Sequence, residues 1–283
     1  MTIAPVYTHT TQKGTQTLPG IKNIIAVASG KGGVGKSTTA VNLSLALQQQ
    51  GARVGILDAD IYGPSQPQLL GLSQTSKPTV IKARFQPLLA HGLKSMSMGF
   101  LIDAEAPTIW RGPMVSGALL QMLNQTDWGQ LDYLIVDLPP GTGDIQLTLA
   151  QKIPVTGAVI VTTPQDLALL DARKAVAMFQ KLDITVLGVI ENMSTYVCPH
   201  CSHASPIFGE AGGERLSAQY SIPFLGSLPL AATIRESADR GSPTVVAAPE
   251  SPIALLYHDI AGKVVSELAK KPRDYRIPSK TEQ

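Results

Sequence analysis

The sequence predicts an α/β fold, a doubly wound and mostly parallel sheet with helices on both faces. Two observations carry that expectation. Short apolar runs rich in β-branched residues alternate with helical patterns from Ile21 to about Lys270, the order that builds parallel βαβ units. The first unit also places a glycine-rich loop between strand and helix, where doubly wound sheets bind their ligands.

Taken in order, residues 1–20 are polar, threonine-rich and without period, and read as a flexible arm. Residues 24–29 form the first strand, 40–47 lie in a helix ending near Gly51, and 53–57 form the second strand. Residues 61–112 are irregular, with Pro64, Pro67, Pro78, Pro87 and Pro107, and read as an insertion of short strands with a loop bordering the site. Later strands are expected at 133–136, 158–161, 185–190 and 224–226, with a helix over 171–182. A last helix from Pro252 to about Lys270 carries Ile253, Leu256, Ile260, Val264 and Leu268 near one stripe. That stripe suits packing on the sheet better than membrane targeting. Residues 21–271 read as one domain, and 272–283 as a polar tail.

Composition removes several function classes. A chain of 283 residues with 44% hydrophobic and 16% charged residues is an ordinary globular protein with room for a large core. Its formal charge of +2 gives no argument for nucleic acid or an anionic membrane. No apolar run approaches the ~20 residues that span a bilayer, and the N-terminus lacks a signal-peptide layout. A cytoplasmic location is expected.

Gly30-Lys31-Gly32-Gly33-Val34-Gly35-Lys36-Ser37-Thr38 fits the phosphate-binding pattern G-x-x-x-x-G-K-[ST]. Glycines let the backbone N–H groups close on phosphate oxygens at the positive end of a helix dipole. Lys36 would reach the β- and γ-phosphates of ATP, and the Ser37 hydroxyl would hold Mg²⁺. Asp58 and Asp60 follow the second strand, where a carboxylate orients water or holds metal; their alternative is a pair of turn-capping aspartates. Asp137 ends an apolar strand in the manner of a Walker B acid. Pro139-Pro140-Gly141-Thr142-Gly143-Asp144 could answer the γ-phosphate as a switch, with Asp144 either part of it or a helix N-cap. Asn192 stands just beyond a strand, where its amide could read a base edge or form a turn.

Cys198-Pro199-His200-Cys201 is half of a soft-metal site. Two chains related by a two-fold axis would supply the four thiolates of a [4Fe–4S] cluster. A dithiol redox pair, a mononuclear zinc site using His200 or His203, and inert cysteines are the other readings.

The double-lysine loop resembles that of the deviant Walker A ATPases: nitrogenase iron proteins, ParA/MinD-like positioning ATPases and iron–sulfur carriers. In that class the extra lysine, here Lys31, crosses a homodimer interface to the partner's nucleotide. The segment 58–65 resembles the class's first switch, which assigns the water and metal role to Asp60. Asn192 falls at the position of its base-reading asparagine. Trp110-Arg111-Gly112-Pro113, Thr163-Pro164-Gln165 and Glu191-Asn192-Met193-Ser194, with the 137–144 segment and the cysteine pair, are similar to the Mrp/ApbC carriers from about Lys22 to Lys270. That resemblance implies a Mg²⁺-ATP-hydrolysing homodimer that takes a labile cluster from scaffold proteins to apo iron–sulfur proteins. The arm over 1–20 is short for the assembly domain many members carry and holds no cysteine, so any cluster is expected to rest on Cys198 and Cys201. A positioning ATPase is the alternative.

Overall fold

The computed structural model describes residues 6–275 apart from 13, 16, 74, 75, 101–111, 199 and 202; Pro107, Trp110 and Arg111 therefore lie outside the described residues, as does the tail beyond 275. The chain runs β1 (Ile21–Ala28), α1 (Lys36–Gln49), β2 (Val54–Asp58), α2 (Gln66–Leu69), β3 (Val80–Ile81), β4 (Arg84–Phe85), β5 (Leu88–Ala90) and β6 (Leu93–Ser97). It continues through α3 (Gly112–Gln125), β7 (Leu131–Asp137), α4 (Asp144–Lys152), β8 (Gly157–Thr162), α5 (Asp166–Lys181) and β9 (Val186–Glu191). Last come β10 (Tyr196–Val197), β11 (Ala204–Ser205), α6 (Gly212–Tyr220), β12 (Phe224–Ser227), α7 (Ala232–Asp239), α8 (Thr244–Ala247) and α9 (Pro252–Ala269).

The main sheet has the order β12-β9-β8-β1-β7-β2-β6-β5, parallel throughout except for the antiparallel edge strand β5. β1 lies between β7 and β8, so the chain leaves it in both directions and opens a crevice at its carboxyl end. The loop from Ser29 to Gly35 fills that crevice.

Alternate side chains of the central strands serve two cores. Ile24, Ala26 and Ala28 of β1 join Leu134, Val136, Leu119 and Phe179 on one face. Ile25 and Val27 join Tyr133, Ile135, Leu43, Tyr257 and Ile260 on the other. Burial on both faces explains why these strands read as unbroken apolar runs. Of the expected α9 stripe, Ile260, Val264 and Leu268 pack inward and Ile253 is partly buried, as the sheet-packing reading expects, but Leu256 is exposed and Tyr257 takes the inward position beside it. Among the described residues no helix is long and apolar enough to cross a membrane.

Two expectations need correction. The region 61–112 is not wholly an insertion: Leu93–Ser97 is a strand of the main sheet, parallel to β2 with Asp58 opposite Ser97. Its residues Lys94, Ser95 and Ser97 hid it, because strand propensity is low where the sheet is lined with polar groups. Nor are the described residues 6–12 loose. His9 and Gln12 are buried, and Tyr7 to Thr10 run beside Pro272–Asp274 through Thr10 N–H to Pro272 O and Asp274 N–H to Thr8 O. The Gln12 amide caps the carboxyl end of α4, donating to the Ala150 carbonyl at 2.9 Å and the Gln151 carbonyl at 2.7 Å. The first residues of the expected tail are thus docked, with Arg273 stacked 3.5 Å over the Tyr7 ring.

Candidate nucleotide site and dithiol hairpin

Gly35 caps α1 in the left-handed region, φ +82°, and a Cβ there would meet Asn192 Nδ2 at 2.1 Å. A Cβ on Gly30 would meet the Asp171 backbone at 2.1 Å. Both positions therefore need glycine, one for its φ and both for close approach. The loop surrounds a cavity of about 270 Å³ lined by Ser29, Gly32, Gly33, Gly35, Lys36, Ser37 and Thr38, with Asp60, Ser65, Leu69 and Pro140 opposite. The N-terminus of α1 opens into it, a natural seat for an anion.

The expected site residues divide into three groups. Gly32, Gly33, Gly35, Lys36, Ser37, Thr38 and Asp60 line the cavity. Gly30, Val34, Asp137 and Asn192 stand behind it as supports. Lys31 is half-buried and does not line the cavity of its own chain.

Lys36 Nζ lies 2.5 Å from Asp137 Oδ1 and 3.2 Å from Ser37 Oγ, well out of solvent. Asp137 Oδ2 accepts from Gln66 Nε2 at 2.9 Å. Asp58 and Asp137 are register partners at the ends of β2 and β7, so two carboxylates meet where two strands stop. Asp58 accepts from the N–H groups of Asp60, Ser65 and Gln66 and from Ser97 Oγ, all at 3.0–3.1 Å. Burial first, and the Asp137 charge second, push its carboxyl up to about 7 against the pull of the Gln66 and Asp60 N–H groups. This carboxyl anchors the segment 60–66 and does not line the cavity. Asp60 does, and burial raises its pKa while Lys36 draws it down. Of the two aspartates, Asp60 therefore has the access that water or metal work requires.

Asp144 is not an N-cap. Gly143 occupies that position, and Asp144 is the exposed first residue of α4, where its charge faces the helix dipole. The 139–144 segment touches the loop through Gly141 N–H to Ser29 O at 2.9 Å. Asn192 is buried, and its amide nitrogen donates to the Val34 carbonyl at 2.9 Å, so it braces the loop from below.

Beyond Asn192 the chain forms the β10–β11 hairpin, with Tyr196 opposite Ser205 and Val197 opposite Ala204. Cys198 N–H donates to His203 O at 3.0 Å and closes the tip that carries both cysteines. Both are free thiols, Cys198 half-buried and Cys201 exposed. The His200 N–H, then the Cys201 N–H and thiol, draw the Cys198 pKa down. Backbone donors aimed at a sulfur are the surroundings a metal-bound thiolate needs. Among the described residues no three His, Cys, Asp or Glu side chains cluster, so the hairpin offers two soft ligands and no complete set.

Sequence reasoning missed Gln66 and Ser97. Each reaches the site from an element whose place depends on the sheet, and neither has a local signal.

The family model described as "ParA: NUBPL iron-transfer P-loop NTPase" matches residues 20–265. An iron-sulfur cluster carrier protein of Pseudomonas fragi is 62% identical over 260 residues, covering 92% of this chain and 90% of that protein. The iron-sulfur cluster transfer protein NUBPL of Dictyostelium discoideum is 50% identical over 252 residues, covering 89% and 78%. Among solved structures, a nucleotide-binding protein of Archaeoglobus fulgidus in complex with ADP has TM-score 0.71 and 38% identity, covering 83% of this chain and 91% of that one. The septum site-determining protein MinD of Pyrococcus horikoshii shares the fold at TM-score 0.64 and 24% identity, covering 86% and 95%. A phosphate loop, the 60–66 and 139–144 segments beside it and a dithiol hairpin agree with that match, and the chain belongs to the NUBPL-type iron-transfer family of P-loop NTPases.

Proposed function

We propose that the chain is an ATP-hydrolysing carrier of a [4Fe–4S] cluster, held between two copies and passed to apoproteins. The observation that carries this reading is the continuity of the two sites. Asn192 braces the phosphate loop through Val34, and the same stretch of chain leads directly into the hairpin bearing Cys198 and Cys201. A change at the loop thus has a short covalent route to the thiols.

Residues 21–271 act as one ATPase domain in this reading. Lys36 and the loop N–H groups bind the β- and γ-phosphates. The half-buried Lys31 serves the partner's nucleotide, which makes the working unit a homodimer. The Ser37 hydroxyl and the Asp60 carboxylate line the cavity, and the Asp137 carboxylate stands behind them against Lys36; these hard oxygen donors suit Mg²⁺, Asp137 by way of a water. Bound there, Mg²⁺ neutralises charge on the phosphates. Asp60 orients the attacking water, and Asn192 contacts the base while bracing the loop.

The cluster is cargo. Two thiolates per chain, paired across a two-fold axis, complete its four ligands and leave it at an exposed tip, open to an acceptor. The location is cytoplasmic, the donors are scaffold proteins, and neither nucleic acid nor membrane is a partner. A positioning ATPase would need no dithiol tip.

The test is transfer. Protein reconstituted with iron and sulfide is mixed anaerobically with an apo [4Fe–4S] enzyme, and the acceptor's activity is followed. Wild type restores activity and Cys198→Ala does not, although its ATP turnover persists. Equal restoration by both would remove the hairpin from the function.

A further inference from the structure

Gln66 has no assigned task, yet three parts of the nucleotide site meet on it. It is fully buried, at the first residue of α2. Its backbone N–H donates to Asp58 Oδ2 at 3.0 Å, tying α2 to the end of β2. Its side-chain nitrogen donates to Asp137 Oδ2 at 2.9 Å, at the end of β7, and to the Ser37 carbonyl at 3.1 Å, on the first turn of α1. Two acceptors facing one end of an amide fix that end as the NH₂. The other end, Oε1, is buried and finds no hydrogen-bond donor among the described residues. A buried amide oxygen without a donor is uncommon in a packed protein. Its neighbours Ser65 and Leu69 line the phosphate cavity together with Ser37 and Asp60.

We infer that Gln66 is a positioning residue for the metal side of the nucleotide site. Its NH₂ holds the Asp137 carboxylate in place, and its Oε1 accepts from a water of the Mg²⁺ shell. This rests on the proposed ATPase reading and assigns that site a residue outside its phosphate loop. The chemistry asks for an amide. Asp137 needs a donor for the oxygen that Lys36 does not reach, while a metal-bound water needs an acceptor. Methionine fills the same volume and offers neither. The tie between α2 and Asp58 uses the Gln66 backbone, so it survives a change of side chain.

The test measures the affinity of the full chain for a fluorescent ADP analogue, in EDTA and across a Mg²⁺ titration, for wild type and Gln66→Met. A melting curve of each protein accompanies the titration. The variant is expected to bind the analogue in EDTA within about twofold of wild type, and to need about tenfold more Mg²⁺ for half-maximal tightening. Equal Mg²⁺ midpoints would overturn the inference and leave the ATPase reading intact. Failure of wild type to bind the analogue at any Mg²⁺ concentration would overturn both. If Gln66→Met does not fold, Gln66→Asn is titrated instead. Its shorter amide cannot span Asp137 and Ser37, so the same Mg²⁺ shift is expected, and an unshifted midpoint counts against the inference.

Discussion

Lys36 Nζ sits 2.5 Å from Asp137 Oδ1, and both side chains are out of solvent. The charge proposed for the phosphates and a charge proposed for the metal therefore compensate each other. Removing one partner of a buried pair strands the other. Lys36→Ala is expected to lose about 3 kcal/mol of stability, as well as ATP turnover. The double variant Lys36→Ala/Asp137→Asn should recover part of that loss, because no buried charge is left alone. Urea denaturation without nucleotide checks it, and simple additivity of the two losses would show that the charges do not couple.

Asn192 has one amide, and its nitrogen holds the Val34 carbonyl. Asn192→Ala is expected to cost about 1 kcal/mol of stability through that bond. It should also weaken both ATP and GTP binding, since the brace serves the phosphate loop, and ATP the more, since the proposed base contact is lost with it. Competition binding of both nucleotides measures this. A loss confined to ATP would make base recognition the dominant role.

How much of this was legible in the sequence follows from the range of each interaction. The phosphate loop, Asp60, Asp137 and the cysteine pair sit in short motifs whose chemistry is set by immediate neighbours, and the strands that position them are unbroken apolar runs. Gln66 could not be read, because its meaning depends on β2 and β7 ending side by side. Leu93–Ser97 was hidden by its serines and lysine, which line the sheet where Ser97 meets Asp58. The docking of residues 6–12 was hidden for a similar reason. A polar arm looks loose until Gln12 finds the open carbonyls of α4, far along the chain.

Burial and the charges of Lys271 and Arg273 lower the His9 pKa, although the contact with Asn23 pulls the other way. Below about pH 6.5 the unfolded chain therefore binds more protons at this residue than the folded one. Stability contributed by the docked arm is present above that pH and is lost as pH falls below it, through the lowered folded-state value. Hydrogen exchange at residues 7–10 should accelerate between pH 7.5 and 5.5, after correction for intrinsic rates. His9→Gln should remove most of that dependence. Identical pH profiles in wild type and variant would detach His9 from the arm's stability.

Asp132 shows the opposite sign. Burial alone would raise its carboxyl, but hydrogen bonds from Arg53 and Lys22 outweigh it and hold the pKa at about 2. The stabilisation is present above about pH 4 and is lost as pH falls toward 2. Allowing for solvent screening of a partly exposed cluster, Asp132→Asn should cost on the order of 1 kcal/mol at pH 7. The gap from wild type should narrow by pH 3, and urea midpoints at the two pH values would show whether it does.

In the proposed assembly two copies share one cluster through Cys198 and Cys201. Anaerobic reconstitution with iron and sulfide, followed by iron analysis and native mass, tests it most directly. About four irons per dimer are expected in wild type. None is expected in Cys198→Ala or Cys201→Ala, with nucleotide binding unchanged in both variants. Iron retained by a variant lacking either cysteine, or a loaded protein that is monomeric, would contradict it.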